Sequence, residues 1–358
     1  MRVTEFGTMP DGRPVRCLEI GSVPGAVVEV ITLGATVHRL EVPCGDGARR
    51  NVVLGHPDPE TRLASTDYIG GTIGRYANRI AQGRFELDGT EVAVETHDRG
   101  NSLHGGPDGF DRRLWTVTEH GDDSLALELV SPDGDMGFPG TVTARVRYRV
   151  EGTTVHVDLE ATTDAPTVVN LTNHAYFNLD GEGAGTVDDH LLRVDADDYT
   201  PIDATGIPPA GHAPVAGTPF DFRVASPIGP ALRQAHEQVE SARGIDHNYV
   251  VRGSGLRTAA VLESRRTRTR LDLRADQPGL QVYTGNFLDG SRRSTVGALY
   301  RQGDGIALEP QLFPDSPNHP EWPTAVLRPG ETYRATIAWL FSASADHDAS
   351  PGCETVPG

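Results

Sequence analysis

Residues 142–150 read VTARVRYRV, with Val142, Ala144, Val146, Tyr148 and Val150 alternating with Thr143, Arg145, Arg147 and Arg149. A period of two sends the apolar set to one face and the charged set to the other, the signature of a strand that is half core and half solvated. Glu151-Gly152 then supplies a turn, after which Val155, Val157, Leu159 and Ala161 repeat the alternation. Strands joined this closely pair as an antiparallel meander. Residues 333–341 carry another apolar run and are expected to form a last strand in the sheet.

The same signals recur outward from this hairpin. Residues 27–42 hold apolar runs broken at Gly34 and followed by the turn cluster Pro43, Gly45, Asp46 and Gly47. Phe85 and Leu87 lead into Asp88-Gly89, and Val92 and Val94 lead out. Asp-Gly supplies the positive φ values that a type I′ hairpin turn demands. Helical spacing is expected in one place, residues 230–242, through Leu232, Ala235, His236 and Val239. No fixed-period repeat is present, which sets aside propellers and solenoids. Residues 201–219 and 309–323, rich in glycine or proline, read as functional loops over a rigid scaffold. No linker divides the chain. Residues 1–345 are therefore expected to form one all-β domain, a large antiparallel β-sandwich with few short helices, and residues 346–358 a disordered tail.

Composition narrows the function. The 358 residues carry a net charge of −18, which argues against nucleic acid and anionic membranes as partners, since both need a basic surface. Every basic residue is arginine. Without lysine, Schiff-base chemistry, pyridoxal phosphate attachment and the P-loop lysine are all excluded. Cys17, Cys44 and Cys353 are scattered and odd in number, so neither a zinc site nor a disulfide framework is expected. No apolar run is long enough to cross a bilayer, and the N-terminus has no apolar segment behind a basic start. A cytoplasmic protein follows as the expectation.

Five polar stretches stand out. Residues 169–181, VNLTNHAYFNLDG, gather Asn170, Thr172, Asn173, His174 and Asn178 between apolar flanks. A sheet interior accepts such groups only where each finds a partner. Taken alone, His174 reads as a buried structural histidine. Residues 74–81, GRYANRIA, offer Arg75, Asn78 and Arg79. Residues 101–106, NSLHGG, set His104 beside paired glycines that permit close backbone approach to a ligand. Residues 244–249, GIDHNY, bring Asp246, His247 and Asn248, and residues 307–318, ALEPQLFPDSPN, bring Glu309 and Gln311 ahead of a proline-stiffened segment. Histidines, carboxylates, amides and arginine without a phosphate loop suit a polyhydroxylated neutral ligand, whose hydroxyls each donate and accept.

These stretches, with GTPFDFR (217–223), VYTGNFLDG (282–290) and LRPGETY (327–333), stand in the order found in the galactose mutarotase (aldose 1-epimerase) family, which the chain resembles from about Gly70 to Phe341. The resemblance implies that family's large antiparallel supersandwich and an isomerase that interconverts the anomers of free hexoses. It implies Glu309 as general base, His174 as general acid and His104 as the second active-site histidine. Arg75, Asp246 and Gln281 match positions that hold sugar hydroxyls, and Asn78 stands where it can help. His247, beside Asp246, is expected behind the ligand-contacting residues. No cofactor or metal is implied, and the partner is a small aldose, bound by a monomer or weak homodimer. One departure bears on the site: Pro310 follows Glu309 where the family commonly has threonine, and proline removes an N–H and fixes φ.

Three rival readings rest on the same residues. A glycoside hydrolase would use Asp246 and Glu309 as its carboxylate pair. A non-catalytic sugar-binding module would keep the scaffold and lose the chemistry. A metal enzyme would take His104, His174 and Glu309 as ligands. Which aldose is preferred is not readable from residue types. A phosphorylated sugar is disfavoured by the lack of a dedicated anion cluster.

Overall fold

The computed structural model describes residues 2–209 and 211–344. The tail expected at 346–358 lies outside the described residues. Strand Val142–Glu151 pairs residue for residue with Thr154–Thr163, Glu151 opposite Thr154. Its five apolar residues are buried, and the intervening residues are partly exposed. Arg145 pairs with Glu119 and Arg149 with Asp158 on the outer face. The expected last strand, Tyr333–Ala343, runs antiparallel between Thr154–Thr163 and Thr269–Ala275 at the centre of the sheet.

That sheet has nine strands, in the order Thr116–His120, Ser124–Ser131, Val142–Glu151, Thr154–Thr163, Tyr333–Ala343, Thr269–Ala275, Arg257–Ser264, Leu191–Val194 and Ser226–Pro227. A six-stranded sheet, ordered Tyr176–Phe177, Ile306–Gln311, Gly279–Tyr283, Asp246–Val251, Ala196–Tyr199 and Ala213–Pro214, supplies the second layer. A five-stranded meander from Arg2–Thr8 to Arg49–Asn51 completes it. Val146 and Leu159 from the first sheet, Leu280 and Leu308 from the second, and Val28 and Leu40 from the meander belong to one buried cluster. The Asp88-Gly89 hairpin forms as expected, with φ of 51° and 77°.

The helix expected over 230–242 is two short ones, Ile228–Leu232 and Glu237–Ala242. His236 interrupts the run because its backbone is extended and its Nδ1 caps the second helix, accepting from the Gln238 N–H at 3.3 Å. A third helix, Pro59–Ala64, was not expected. Its start is signalled by Asp58 as N-cap, Pro59 in the first turn and Glu60 beside them.

Candidate active site

The six-stranded sheet decides what reaches the cavity. In register, Asp246 stands opposite Tyr283, Asn248 opposite Gln281, and Gln281 opposite Glu309. Residues directly opposite share a face, and alternate residues share it along each strand. His247, Tyr249, Leu280, Val282 and Leu308 therefore turn toward the core, while Asp246, Gln281, Tyr283 and Glu309 turn the other way and line a cavity of about 600 Å³. Pro310 does not disturb this placement. Tyr176–Phe177 meets Ile306–Gln311 at Ile306 and Ala307, and Pro310 lies beyond that contact, paired with Leu280 on the other side.

The VNLTNHAYFNLDG stretch forms the adjoining wall. Asn170 donates to the Ala77 carbonyl at 3.0 Å and accepts from the Leu312 N–H. Asn173 donates to the Gly70 carbonyl and to the Tyr148 hydroxyl, and Asn178 to the Gly185 and Asp304 carbonyls. The three amides are a frame, and none lines the cavity. His174 is clamped through its backbone, donating to the Gly71 carbonyl and accepting from the Gly70 N–H, each at 2.9 Å. Its ring lies between Tyr68 and Tyr176, with centroids at 5.8 and 5.1 Å and near-parallel planes.

His174 Nε2 lies 3.4 Å from Glu309 Oε1. Burial pushes the Glu309 carboxyl well above the usual range, and the Asp246 charge adds to this while Arg79 opposes it. Burial likewise pulls His174 down to about 4, against the Asp246 charge. Enclosure therefore drives both groups toward their neutral forms. A protonated Glu309 beside a neutral His174 carries the same single proton as a carboxylate beside an imidazolium.

His104 approaches the pair edge-on, its ring centroid 5.3 Å from that of His174. The Asn78 N–H donates to His104 Nδ1 at 3.1 Å. In the neutral ring Nε2 therefore carries the proton. The paired glycines beside it serve the fold and not a ligand: a Cβ on Gly105 would lie 2.1 Å from the Gly74 carbonyl oxygen. Asp246 Oδ1 accepts from Gln281 Nε2 at 2.6 Å, leaving Gln281 Oε1 without a partner among the described residues. Behind them His247 Nδ1 accepts from the Asp246 N–H, and its Nε2 meets Gln238 Oε1, each at 3.1 Å.

Six of the seven residues expected at the site, Glu309, His174, His104, Asn78, Asp246 and Gln281, line this cavity; Arg75 does not. Its guanidinium is buried and donates to the carbonyls of Ser131, Pro132, Pro139 and Gly140 and to the Ser131 hydroxyl. Of the two arginines in that motif, the one that lines the cavity is Arg79, four residues on. Its Nε donates to Asp98 Oδ2 at 2.7 Å. Both arginines were visible in GRYANRIA, but the motif does not tell which of two guanidiniums the turn sends inward. Tyr68, Tyr176, Tyr283, Arg243 and Phe287 also line the cavity; Tyr176, Tyr283 and Phe287 stand inside the quoted motifs without being singled out, and Tyr68 and Arg243 lie outside them. From the two proline- and glycine-rich loops, Glu309 and Ala204 reach it.

His104, His174 and Glu309 place one ligand-type atom each within 4.8 Å of one another, a set that residue type alone would allow to hold a metal. The same three groups in a cavity walled by tyrosines, carboxylates and amides suit proton transfer on a hydroxylated ligand. The comparisons give the family. A family model described as aldose 1-epimerase matches residues 16–339. Aldose 1-epimerase of Escherichia coli is 42% identical over 339 residues, covering 93% of this chain and 97% of its own. Galactose mutarotase of Homo sapiens is 41% identical over 321 residues, covering 88% and 91%. Among solved structures, the GalM/aldose epimerase homologue from C. elegans superposes with a TM-score of 0.86 at 30% identity, over 92% of this chain and 99% of that one. The chain belongs to the aldose 1-epimerase family.

Proposed function

We infer that the chain is an isomerase acting on carbohydrates, an aldose 1-epimerase that interconverts the α and β anomers of free hexoses such as glucose or galactose. The observation that carries the residue assignment is the Glu309–His174 contact enclosed at the wall of a polar cavity.

Glu309, as carboxylate, takes the proton of the C1 hydroxyl while His174, as imidazolium, protonates the ring oxygen. The bond between C1 and the ring oxygen breaks, leaving an open-chain aldehyde. Rotation about C1–C2 turns the other carbonyl face to the C5 hydroxyl, and closure runs with the roles exchanged. Each positioned acid or base contributes roughly 10²–10⁴ in rate. His104 Nε2–H is a donor for an oxygen beside the acid. Asp246 and Gln281 read a pair of hydroxyls, and Arg79 supplies further donors where Arg75 was expected to. The pair suffices for the proton bookkeeping, and no step requires a nucleophile from the protein.

Polarimetry on freshly dissolved α-D-glucose and α-D-galactose tests the activity. Acceleration over buffer with at least one sugar is expected. Equal decay with and without protein, for both sugars, removes the assigned function and leaves the fold.

A further inference from the structure

On the cavity face of the six-stranded sheet, the row Asn248–Gln281–Glu309 is followed by the row Val250–Gly279–Gln311. Asn248 is 1% exposed and Gln311 fully buried, and neither lines the substrate cavity. Among the described residues, both polar atoms of the Asn248 amide and both of the Gln311 amide lack a hydrogen-bond partner, as does Glu309 Oε2. Two buried primary amides without partners are a standing cost, and native interiors meet such groups with a polar partner or ordered water.

Gly279 makes room between them. A Cβ there would lie 2.3 Å from Asn248 Oδ1 and 3.0 Å from both the Gln311 carbonyl oxygen and the Phe313 ring. Asn248 Oδ1 takes the space that a side chain on Gly279 would fill, which carries that amide over the middle strand toward the one that holds Glu309 and Gln311. Glu309 and Gln311, two apart on one strand face, stand about 7 Å apart, a span that a single water bridges between side chains, and Asn248 lies in the row of Glu309, two strands away.

We propose that Asn248 and Gln311 hold a buried water, or a short chain of them, that donates to Glu309 Oε2 and keeps Oε1 directed at His174 and the reacting hydroxyl. Asn248, Gln311 and Gly279 are then positioning residues for the base. The second carboxylate oxygen would otherwise carry charge with no donor, which destabilises the form that must accept the C1 proton. The proposal rests on the reading of Glu309 as base, and its first test does not.

That test is a high-resolution crystal structure of the unmodified protein. An ordered water within hydrogen-bond distance of both amides is expected; no ordered water touching either amide overturns the site. The second test is kinetic, on Gln311→Leu and Asn248→Leu beside wild type. Each is expected to lower kcat about tenfold and to displace the pH profile of kcat, with KM for the sugar unchanged. Wild-type kcat and pH profile in a folded variant overturn the positioning role, and either variant alone suffices if the other does not fold. Wild-type turnover in the same assay separates failure of this proposal from failure of the assigned activity.

Discussion

Nε2 of His174 and Oε1 of Glu309 stand 3.4 Å apart with side chains only 4% and 2% exposed, so the two groups titrate as one unit. In the proposed mechanism the active form of the pair carries one proton. Its second proton must go onto a ring that burial holds down to about 4, and its only proton must leave a carboxyl that burial holds well above the usual range. The acid limb of kcat/KM is therefore expected near pH 4, far below the 6.5 of an ordinary histidine, with no alkaline limb near 4.5. Polarimetric initial rates across pH, corrected for the spontaneous reaction, measure this. An acid limb at 6.5 would mean that His174 is solvated as the free protein works.

Glu309→Gln and His174→Asn each remove one half of the unit. A loss of roughly 10²–10⁴ in kcat is expected for each, with sugar binding retained by calorimetry. Glu309→Gln should also stabilise the fold. The native carboxyl keeps its proton above pH 4.5 while the unfolded chain releases it, so the native state binds more protons and wild-type stability falls as pH rises through that window. Glutamine has no such dependence. The gain in thermal midpoint is expected to grow as pH rises above 4.5; a gain that is flat in pH would assign the carboxyl an ordinary proton affinity.

Arg75 and Arg79 separate cleanly by experiment. Arg79 lines the cavity, so Arg79→Met is expected to cost about 10- to 100-fold in kcat/KM, the value of hydrogen bonds from a charged donor, mainly through KM. Arg75 binds four backbone carbonyls and a hydroxyl away from the cavity. Arg75→Met should destabilise by on the order of 3 kcal/mol or more and leave KM of the folded fraction unchanged. Denaturant melts beside steady-state kinetics decide it; a raised KM in Arg75→Met with wild-type stability would return that residue to the sugar.

The contrast shows what the sequence carried. Strand 142–150 was legible because its period of two records which face meets the core, and the structure buries those same residues. His174 and Glu309 were legible because motif order constrains them. Arg75 and Arg79 share one motif, and the choice between them rests on which way a tight turn points each side chain, a property of backbone torsions and not of residue type. Tyr68 and Tyr176 were not singled out for a related reason: aromatic residues look alike whether they fill a core or stack on a histidine at a cavity wall. The 230–242 helix failed because apolar spacing does not record that His236 caps a new helix.

His104, His174 and Glu309 invite a metal by geometry, and the acid–base mechanism gives it nothing to do. Prolonged dialysis against chelator is expected to leave turnover unchanged. Added Zn²⁺ should inhibit competitively with sugar by occupying the three ligand atoms. Loss of activity in chelator that is restored by a divalent ion would overturn the metal-free mechanism.

Acid stability follows from histidines outside the chemistry as much as from His174. Burial pulls His38, His174 and His190 down to about 4 and His56 and His247 to about 3. Each is neutral in the native protein at pH 5 and charged in the unfolded chain, whose histidines titrate near 6.5. The unfolded state therefore binds more protons, and stability rises with pH from about 4 to 6.5 and is lost on acidification through the same window. Each pKa unit of depression is worth about 1.4 kcal/mol, so the five together make the loss steep. His247→Asn isolates one of them, since among the described residues its ring bonds the Asp246 N–H and Gln238. That variant should be less stable than wild type at pH 7 and lose less stability between pH 6.5 and 5, as measured by urea melts at each pH. A wild-type slope in that interval would place the acid sensitivity elsewhere.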